Sequence, residues 1–148
     1  DVGNADPQAL VVANAAAQVT MLIGMPECRI NLSQATTYLA CAPKANASYV
    51  AIDAALNDVR TQTVLPVPMH LRNAPTKLMK DLGASQDYRY AHDEAEAYAA
   101  GENYFPDDMK PVHYYEPVDR GLEKKIAERL RYLGQLDHVY HAKRKQGD

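Results

Sequence analysis

The sequence predicts an all-α protein: a small helical bundle, then a tyrosine- and proline-rich irregular segment, and a final helix. Apolar residues recur at intervals of three and four in several stretches, no stretch carries a convincing strand pattern, and prolines cluster between residues 61 and 118. The chain has 148 residues, of which 47% are hydrophobic and 24% charged. This length suits one compact domain or two small lobes that share a core.

The first helix is predicted between two clear signals. Asp6 supplies a capping carboxylate directly ahead of Pro7, and Gly24 is a typical stop. The helix between them is apolar almost all round, so we expect it to be central in the fold or at an interface. The run Pro7–Ile23 is too short and too polar for a membrane span, and no membrane contact is expected.

Two further helices complete the predicted bundle. Pro26 opens the second helix and Pro43 ends it, while Asn46 can cap the third. The second helix has an apolar face of Cys28, Leu32, Ala35, Leu39 and Ala42. The third has one of Tyr49, Ile52, Leu56 and Val59. Short links between consecutive amphipathic helices favour a bundle, which we assign to a first lobe over residues 1–62.

The second predicted lobe, residues 63–148, begins where the helical spacing of apolar residues stops and prolines begin to cluster. A short helix is predicted over Pro75–Leu82, where Gly83 stops it. Asp93 and Glu96 have the spacing of a capping box, which predicts a brief helix through Tyr98.

The end of the chain is predicted to be helical after a long irregular stretch. Residues 99–118 are expected to lack regular structure, and the final helix is predicted from about Arg120 to Leu136. Lys124 and Glu128 are placed to form a supporting ion pair on that helix. The tail, residues 143–148, is expected to be frayed.

The two cysteines indicate no disulfide framework and no zinc module, because they are few and widely spaced. We interpret Cys28 and Cys41 as small buried hydrophobic residues in a reducing compartment. No signal peptide is recognisable. The chain begins with Asp1, ahead of a helix start, which suggests a piece of a longer protein. The net charge of −3 does not indicate general affinity for nucleic acid.

Known catalytic patterns are missing from the sequence. The histidines, His70, His92, His113, His138 and His141, have no convergent metal-ligand spacing. There is no nucleophile elbow and no glycine-rich phosphate loop. We therefore predict no catalytic, cofactor-binding or metal-binding residue in these 148 residues.

Charge is unevenly distributed along the chain. Residues 87–108 contain seven acidic residues against Arg89 alone, and residues 120–145 contain eight basic residues. One interpretation is that the two segments neutralise each other within the fold. The other is a basic surface for nucleic-acid phosphates, or complementary faces between subunits.

The polar segment His70–Lys80 has two interpretations. In the functional one, Lys77 and Lys80 contact phosphates or a partner, and Arg72, Asn73 and Thr76 position a ligand. In the structural one, those last three side chains bond exposed backbone groups.

The tyrosine-rich stretch that follows favours the structural interpretation. Tyr88, Tyr90, His92 and Asp93 are taken as structural polar residues. An irregular segment packed on helices leaves carbonyl groups without partners, and tyrosine hydroxyls and arginine side chains are suitable donors.

The segment His70–Lys80 resembles a signature of the RarA/MgsA family, replication-associated recombination ATPases related to the Werner-helicase-interacting protein. Other segments match the family in order along residues 1–137: Asp1–Pro7, Tyr38–Lys44, Tyr88–Glu94, Tyr104–Pro106, Tyr114–Pro117 and Arg120–Ile126.

The resemblance implies that the chain is the C-terminal helical region of a AAA+ ATPase similar to clamp-loader subunits. Its first three helices would resemble the clamp-loader collar, and ATP and Mg²⁺ would bind ahead of Asp1. In the family this region drives oligomerisation, commonly as a tetramer. The resemblance also implies that the parent would act at stalled or gapped forks in the bacterial cytoplasm, near the nucleoid, and would bind DNA ends and single-strand-binding protein.

Two functional hypotheses follow. The leading one is a non-catalytic oligomerisation module, tested by a charge in the first helix such as Val12→Glu. The alternative is a surface for DNA or a partner protein, formed by Arg120, Lys124, Arg131 and the tail Lys143–Lys145.

Overall fold

The structure is a computed structural model that describes residues 1–73 and 75–146. The described residues form five α-helices and no β-strand: α1 Gln8–Ile23, α2 Arg29–Cys41, α3 Ala47–Thr61, α4 Lys77–Asp81 and α5 Glu123–Gln146. Short 3-10 turns lie at Gly3–Ala5, Met69–Leu71, Ala91–Asp93 and Ala95–Ala97. The predicted all-α fold class is therefore confirmed.

The chain divides into two compact units. Unit 1 combines Asp1–Arg60 with Tyr114–Glu128, and unit 2 combines Thr61–His113 with the chain from Arg129 onwards. Helix α5 thus contributes to both units. The two lobes predicted from the sequence, 1–62 and 63–148, are consecutive along the chain and stay a prediction about domains.

Helices α1 and α2 of unit 1 pack together through small side chains. Ala16 of α1 and Ala35 of α2 are buried, and Val12 lines the same groove. The start and the stop of α1 agree with the sequence prediction. Asp6 Oδ1 accepts the N–H of Gln8 at 3.1 Å, and Gly24 ends the helix with φ of 66°. Alanine contacts let the two helix backbones approach closely but bury little apolar surface.

The beginning of unit 1 is joined to the chain ahead of α5. The N–H of Leu122 donates to the carbonyl of Ala5 at 2.8 Å, and Arg120 Nε donates to the carbonyl of Lys44 at 2.7 Å. Residues 114–128 therefore complete a unit whose other part is the first 60 residues.

The apolar stripe predicted on α3 exists but is not covered by the described residues. Its four residues are all exposed: Tyr49, Ile52, Leu56 and Val59. The stripe of α2 behaves as predicted at Cys28, Ala35 and Ala42, which are buried, whereas Leu32 is exposed. The pattern identified the helices correctly, but it did not determine what covers them.

Unit 2 is built around side chains on the C-terminal half of α5. Asp137 accepts hydrogen bonds from the Tyr98 hydroxyl and from the N–H of Gly101. One turn later, the guanidinium of Arg89 lies over the Tyr140 ring, 4.6 Å from its centroid. These contacts fix the irregular segment 89–101 on a regular helix.

The helix predicted from Asp93 through Tyr98 is wrong. Two short 3-10 turns occupy this stretch, and Asp93 ends the first of them. Glu96 and Ala97 have φ of 62° and 50°, which lies in the left-handed region and interrupts a right-handed helix.

The bounds predicted for the last helix are also corrected. Gly121 has φ of 53°, so the helix begins at Glu123, and Arg120 lies ahead of it. The helix does not end near Leu136 but continues to Gln146, so residues 143–146 of the tail, which were expected to be frayed, are helical. Contacts of Asp137 and Tyr140 stabilise the extra turns, and basic residues at 143–145 suit a helix C-terminus. Residues 147 and 148 of the predicted tail lie outside the described residues.

Two smaller expectations need correction. Cys28 is buried, with its Sγ 3.3 Å from Met25 Sδ, but Cys41 is exposed because it occupies the last position of α2. Lys124 pairs with Asp119 at 3.6 Å rather than with Glu128, since Asp119 lies just ahead of the helix start.

Candidate functional site

The most unusual surface of unit 1 is the apolar side of α1. Leu10, Met21 and Leu22 are 78%, 79% and 82% exposed. Gly24 then turns the chain into Met25 and Ile30, which are also exposed. We call this set, with Val11 and Ile23, the α1 apolar surface. Large contiguous apolar surfaces of soluble proteins commonly mark contacts with other molecules.

The segment at 70–80 uses its polar groups locally. Arg72 Nε donates to the carbonyl of Val67 at 2.7 Å, and the carbonyl of Arg72 accepts the Ser85 hydroxyl at 2.5 Å. Thr76 Oγ1 caps α4 by accepting the N–H of Met79. Asn73 is exposed. Ala74 lies outside the described residues.

Lys77 and Lys80 are exposed on the short helix α4. They are the charged members of the segment with which a partner can make contact. Their contact with phosphates stays a prediction.

The side chains of Tyr88, Tyr90, His92 and Asp93 are exposed rather than enclosed. The rings of Tyr90 and His92 lie close together, with centroids 5.0 Å apart. Their assignment as structural residues stays a prediction. Other tyrosines, Tyr38, Tyr98, Tyr114 and Tyr115, donate their hydroxyls to carboxylates, whereas carbonyl acceptors were expected.

Four tyrosine hydroxyls donate to acidic side chains: Tyr38 to Asp6, Tyr98 to Asp137, Tyr114 to Asp58 and Tyr115 to Glu123. Hydrogen bonds to ionised groups are stronger than those to carbonyls. The hydrogen bond to Asp6 raises the pKa of Tyr38, and burial followed by the bond to Asp137 raises the pKa of Tyr98 to about 12. These pairs fix the two units internally.

The acceptors in these pairs were not predicted from the sequence. Glu123 is fully buried and accepts both the Tyr115 hydroxyl at 2.9 Å and the N–H of Val118 at 2.7 Å. Asp137 plays the same part in unit 2. The signal that points to them is the excess of tyrosine over phenylalanine, since each buried tyrosine hydroxyl needs a partner.

Comparison with known proteins settles the family. The family model described as MgsA AAA+ ATPase C terminal matches residues 1–134. The chain belongs to this family. The resemblance found in the sequence is thereby confirmed.

Named relatives agree with the family match. The chain is 55% identical over 144 residues to replication-associated recombination protein A of Escherichia coli K12, covering 97% of this chain and 32% of that protein. It is 48% identical over 140 residues to the protein of that name from Coxiella burnetii, covering 95% and 32%. A more distant relative, ATPase WRNIP1 of Dictyostelium discoideum, is 39% identical over 116 residues, covering 78% and 13%. The chain thus spans about a third of the length of its bacterial relatives.

The basic residues predicted to contact DNA are partly engaged within this C-terminal region. Arg120 bonds the Lys44 carbonyl, and Lys124 faces Asp119. Arg131 is exposed and also interacts within the chain. Arg129 lies 3.5 Å from Glu96, which is one instance of the predicted neutralisation between the acidic and basic segments.

The described residues offer no candidate metal centre, since residues 1–73 and 75–146 contain no group of three or more His, Cys, Asp or Glu side chains placed to hold an ion. In the same ranges, none of the helices is both long and apolar enough to cross a membrane.

Proposed function

We propose that the chain is a non-catalytic oligomerisation module at the C-terminal end of a AAA+ ATPase. The observation that carries this proposal is the α1 apolar surface, where large apolar side chains are more than half exposed although the helix is almost wholly apolar. Exposing such a surface to water is unfavourable, and a second copy of the chain covers it.

The total accessible surface supports self-association. The chain exposes 11266 Å². Two separate compact proteins, each of half its mass, would together expose only about 9100 Å². The excess over this value is of the size that a subunit interface buries. The exposed stripe of α3 is a second apolar surface available for this purpose.

The names of the relatives support a wider proposal about the parent protein. Its relatives are named replication-associated recombination proteins, and we infer that the parent acts in DNA replication, recombination and repair at stalled forks. In this proposal the assembly is a homotetramer in the cytoplasm near the nucleoid. ATP and Mg²⁺ bind to other parts of the parent, which also contacts DNA and single-strand-binding protein.

Sedimentation velocity at micromolar concentration tests the module. We expect a species larger than the monomer for the wild-type chain, and a shift towards monomer for Leu22→Glu. Leu22 is preferable to Val12, because Val12 is half-buried in the α1–α2 groove and a charge there would also disturb folding. Gln135→Glu adds the same charge at an exposed position of α5 and should not change the sedimentation coefficient. A monomeric wild-type chain at all concentrations would contradict the proposal.

A second candidate function is contact with DNA through the end of α5. The helix remains regular to Gln146, so Lys143, Arg144 and Lys145 are held on its last turn rather than on a loose tail. We expect affinity for forked DNA that falls with salt, because phosphate contacts release counterions. Affinity unchanged in Lys143→Glu with Lys145→Glu would argue against this surface.

A further inference from the structure

Unit 2 contains an open cavity of about 750 Å³, which is in the size range of small-ligand sites. It lies beside the 3-10 turn at Met69–Leu71 and beside the C-terminal turns of α5. The proposed oligomerisation does not use this cavity, and the proposed contact with DNA shares with it the side chain of Arg144.

The charge inside the cavity is predominantly negative. Three carboxylates line it: Asp87, Glu102 and Asp107. Two cations, Arg89 and Arg144, also line it. Arg89 is already neutralised, because its Nε lies 2.9 Å from Glu94 Oε1 and its Nη1 donates to the carbonyl of Ala100 at 2.7 Å. Among the described residues that line the cavity, Arg144 is the remaining Lys or Arg side chain beside three acidic groups, and His70 lies next to Glu102.

Glu102 is shielded from water, and its close contacts are an N–H group and a histidine. Its side chain is only 16% exposed, its Oε1 accepts the N–H of Asn103 at 3.3 Å, and the same oxygen lies 3.1 Å from His70 Nε2. Although this distance is short, the two atoms are not aligned as a hydrogen bond, and His70 Nε2 is buried without a hydrogen-bond partner among the described residues. No Lys or Arg of the described residues forms an ion pair with Glu102. A carboxylate this shielded is normally paired with a cation.

The remaining walls suit an aliphatic stem with a charged end. Met69 and Tyr88 both line the cavity, and the Tyr88 side chain is about half exposed. A cation near an aromatic face is attracted to the ring, and methylene groups pack on thioether and aromatic surfaces.

We propose that this cavity binds an ammonium or guanidinium group carried on an aliphatic chain. Glu102 is the principal anion, Asp87 and Asp107 add negative potential, and Met69 and Tyr88 contact the stem. Such a group is found on the lysine or arginine side chain of a polypeptide and on free polyamines.

Isothermal titration calorimetry at low salt, with the whole chain, tests the role of Glu102. The probes are putrescine and an acetylated, amidated Gly-Lys-Gly peptide. Glu102→Gln should weaken the binding of either probe at least about tenfold, since a hydrogen bond to a charged group is lost. Asp93→Asn removes an exposed carboxylate that does not line the cavity and should leave affinity unchanged. Equal effects of the two variants would overturn the proposal.

A substitution at Arg144 tests whether the ligand is a cation or an anion. Arg144→Glu should strengthen cation binding by about threefold or more, because a repulsive charge is replaced by an attractive one. Lys143→Glu changes charge equally at the neighbouring position, which does not line the cavity, and should have a smaller effect. Weaker binding in Arg144→Glu would overturn the proposal, because it would indicate an anionic ligand. This variant also provides the test if Glu102→Gln does not fold.

Further probes identify the source of the cation. Tighter binding of the peptide supports a polypeptide partner, and tighter binding of putrescine supports a free polyamine. Equal binding of an acetyl-lysine peptide, which has no charge, would overturn the proposal, as would complete displacement of putrescine by equimolar Mg²⁺. Sedimentation of all variants should match wild type, so this proposal fails or holds independently of self-association.

Discussion

The hydroxyl of Tyr98 lies 2.9 Å from Oδ2 of Asp137, a residue 39 positions later in the chain. The same carboxylate accepts the N–H of Gly101 at 2.7 Å through Oδ1. One side chain of α5 thus holds both ends of a short irregular stretch, which has no regular backbone ladder of its own.

Removing this carboxylate should destabilise the chain. Asp137→Ala leaves the Tyr98 hydroxyl and the Gly101 N–H without their acceptor. We therefore expect the free energy of unfolding to fall by about 2 to 4 kcal/mol. Urea unfolding followed by circular dichroism measures it. Gln135→Ala, an exposed change on the same helix, should alter the free energy of unfolding by no more than about 0.5 kcal/mol. A loss no greater than that of the control would show that the two bonds contribute little.

Ionisation of Tyr98 should also lower the stability of the fold at alkaline pH. Burial and the bond to Asp137 raise its pKa from 10.0 to about 12, so the folded state keeps the proton that the unfolded state releases. This contribution is complete below pH 10 and is lost as pH rises towards 12. Tyr98→Phe should therefore flatten the decline in stability across this window, measured by urea unfolding at a series of pH values. Tyr90→Phe, at an exposed tyrosine, should leave the decline as it is in wild type; equal slopes for all three proteins would refute the expectation.

Glu123 should be the corresponding anchor of unit 1. Glu123→Gln keeps one acceptor but presents an N–H₂ group where the second carboxylate oxygen stood, against either the Tyr115 hydroxyl or the Val118 N–H. Because the site is fully buried, we expect the free energy of unfolding to fall by about 2 to 3 kcal/mol. Thermal and urea unfolding both report it. Glu128→Gln, on an exposed part of the same helix, is the control, and similar losses in the two variants would contradict this assignment.

Substitutions at two glycines distinguish the free-energy cost of backbone strain from that of steric overlap. Gly24 and Gly101 have φ of 66° and 73°, but a Cβ on Gly24 meets nothing within 4 Å, whereas one on Gly101 would lie 2.2 Å from Tyr140 Cδ1. Gly24→Ala should cost about 1 kcal/mol from strain alone. Gly101→Ala should cost about 1 to 3 kcal/mol more, since the Tyr140 ring must move. Equal unfolding free energies for the two variants would mean that the ring shifts freely.

Much of the helical fold was predictable because its signals are local. Asp6 and Gly24 mark the ends of α1, and Thr76 caps α4 within two residues of the predicted start. The left-handed backbone at Glu96 and Ala97 was not predictable, since neither residue type favours that conformation. It depends on contacts formed only in the folded chain.

The candidate surfaces were predictable in character but not in detail. An almost wholly apolar α1 predicts burial or an interface, and the exposure of Leu22 decides between them only once the fold is known. The cavity beside Glu102 was not predictable, because it joins residues from the turn at 69–71 to Tyr140 and Arg144. Periodicity within one helix carries no information about such distant pairs.

The return of the chain from Tyr114 to Glu128 into unit 1 has a practical consequence for anyone dividing this protein. A fragment ending near residue 62 looks like a natural three-helix piece, yet it lacks Leu122, the donor to the Ala5 carbonyl, and the buried Glu123 with its tyrosine. Expression boundaries are therefore best set outside both ends of unit 1.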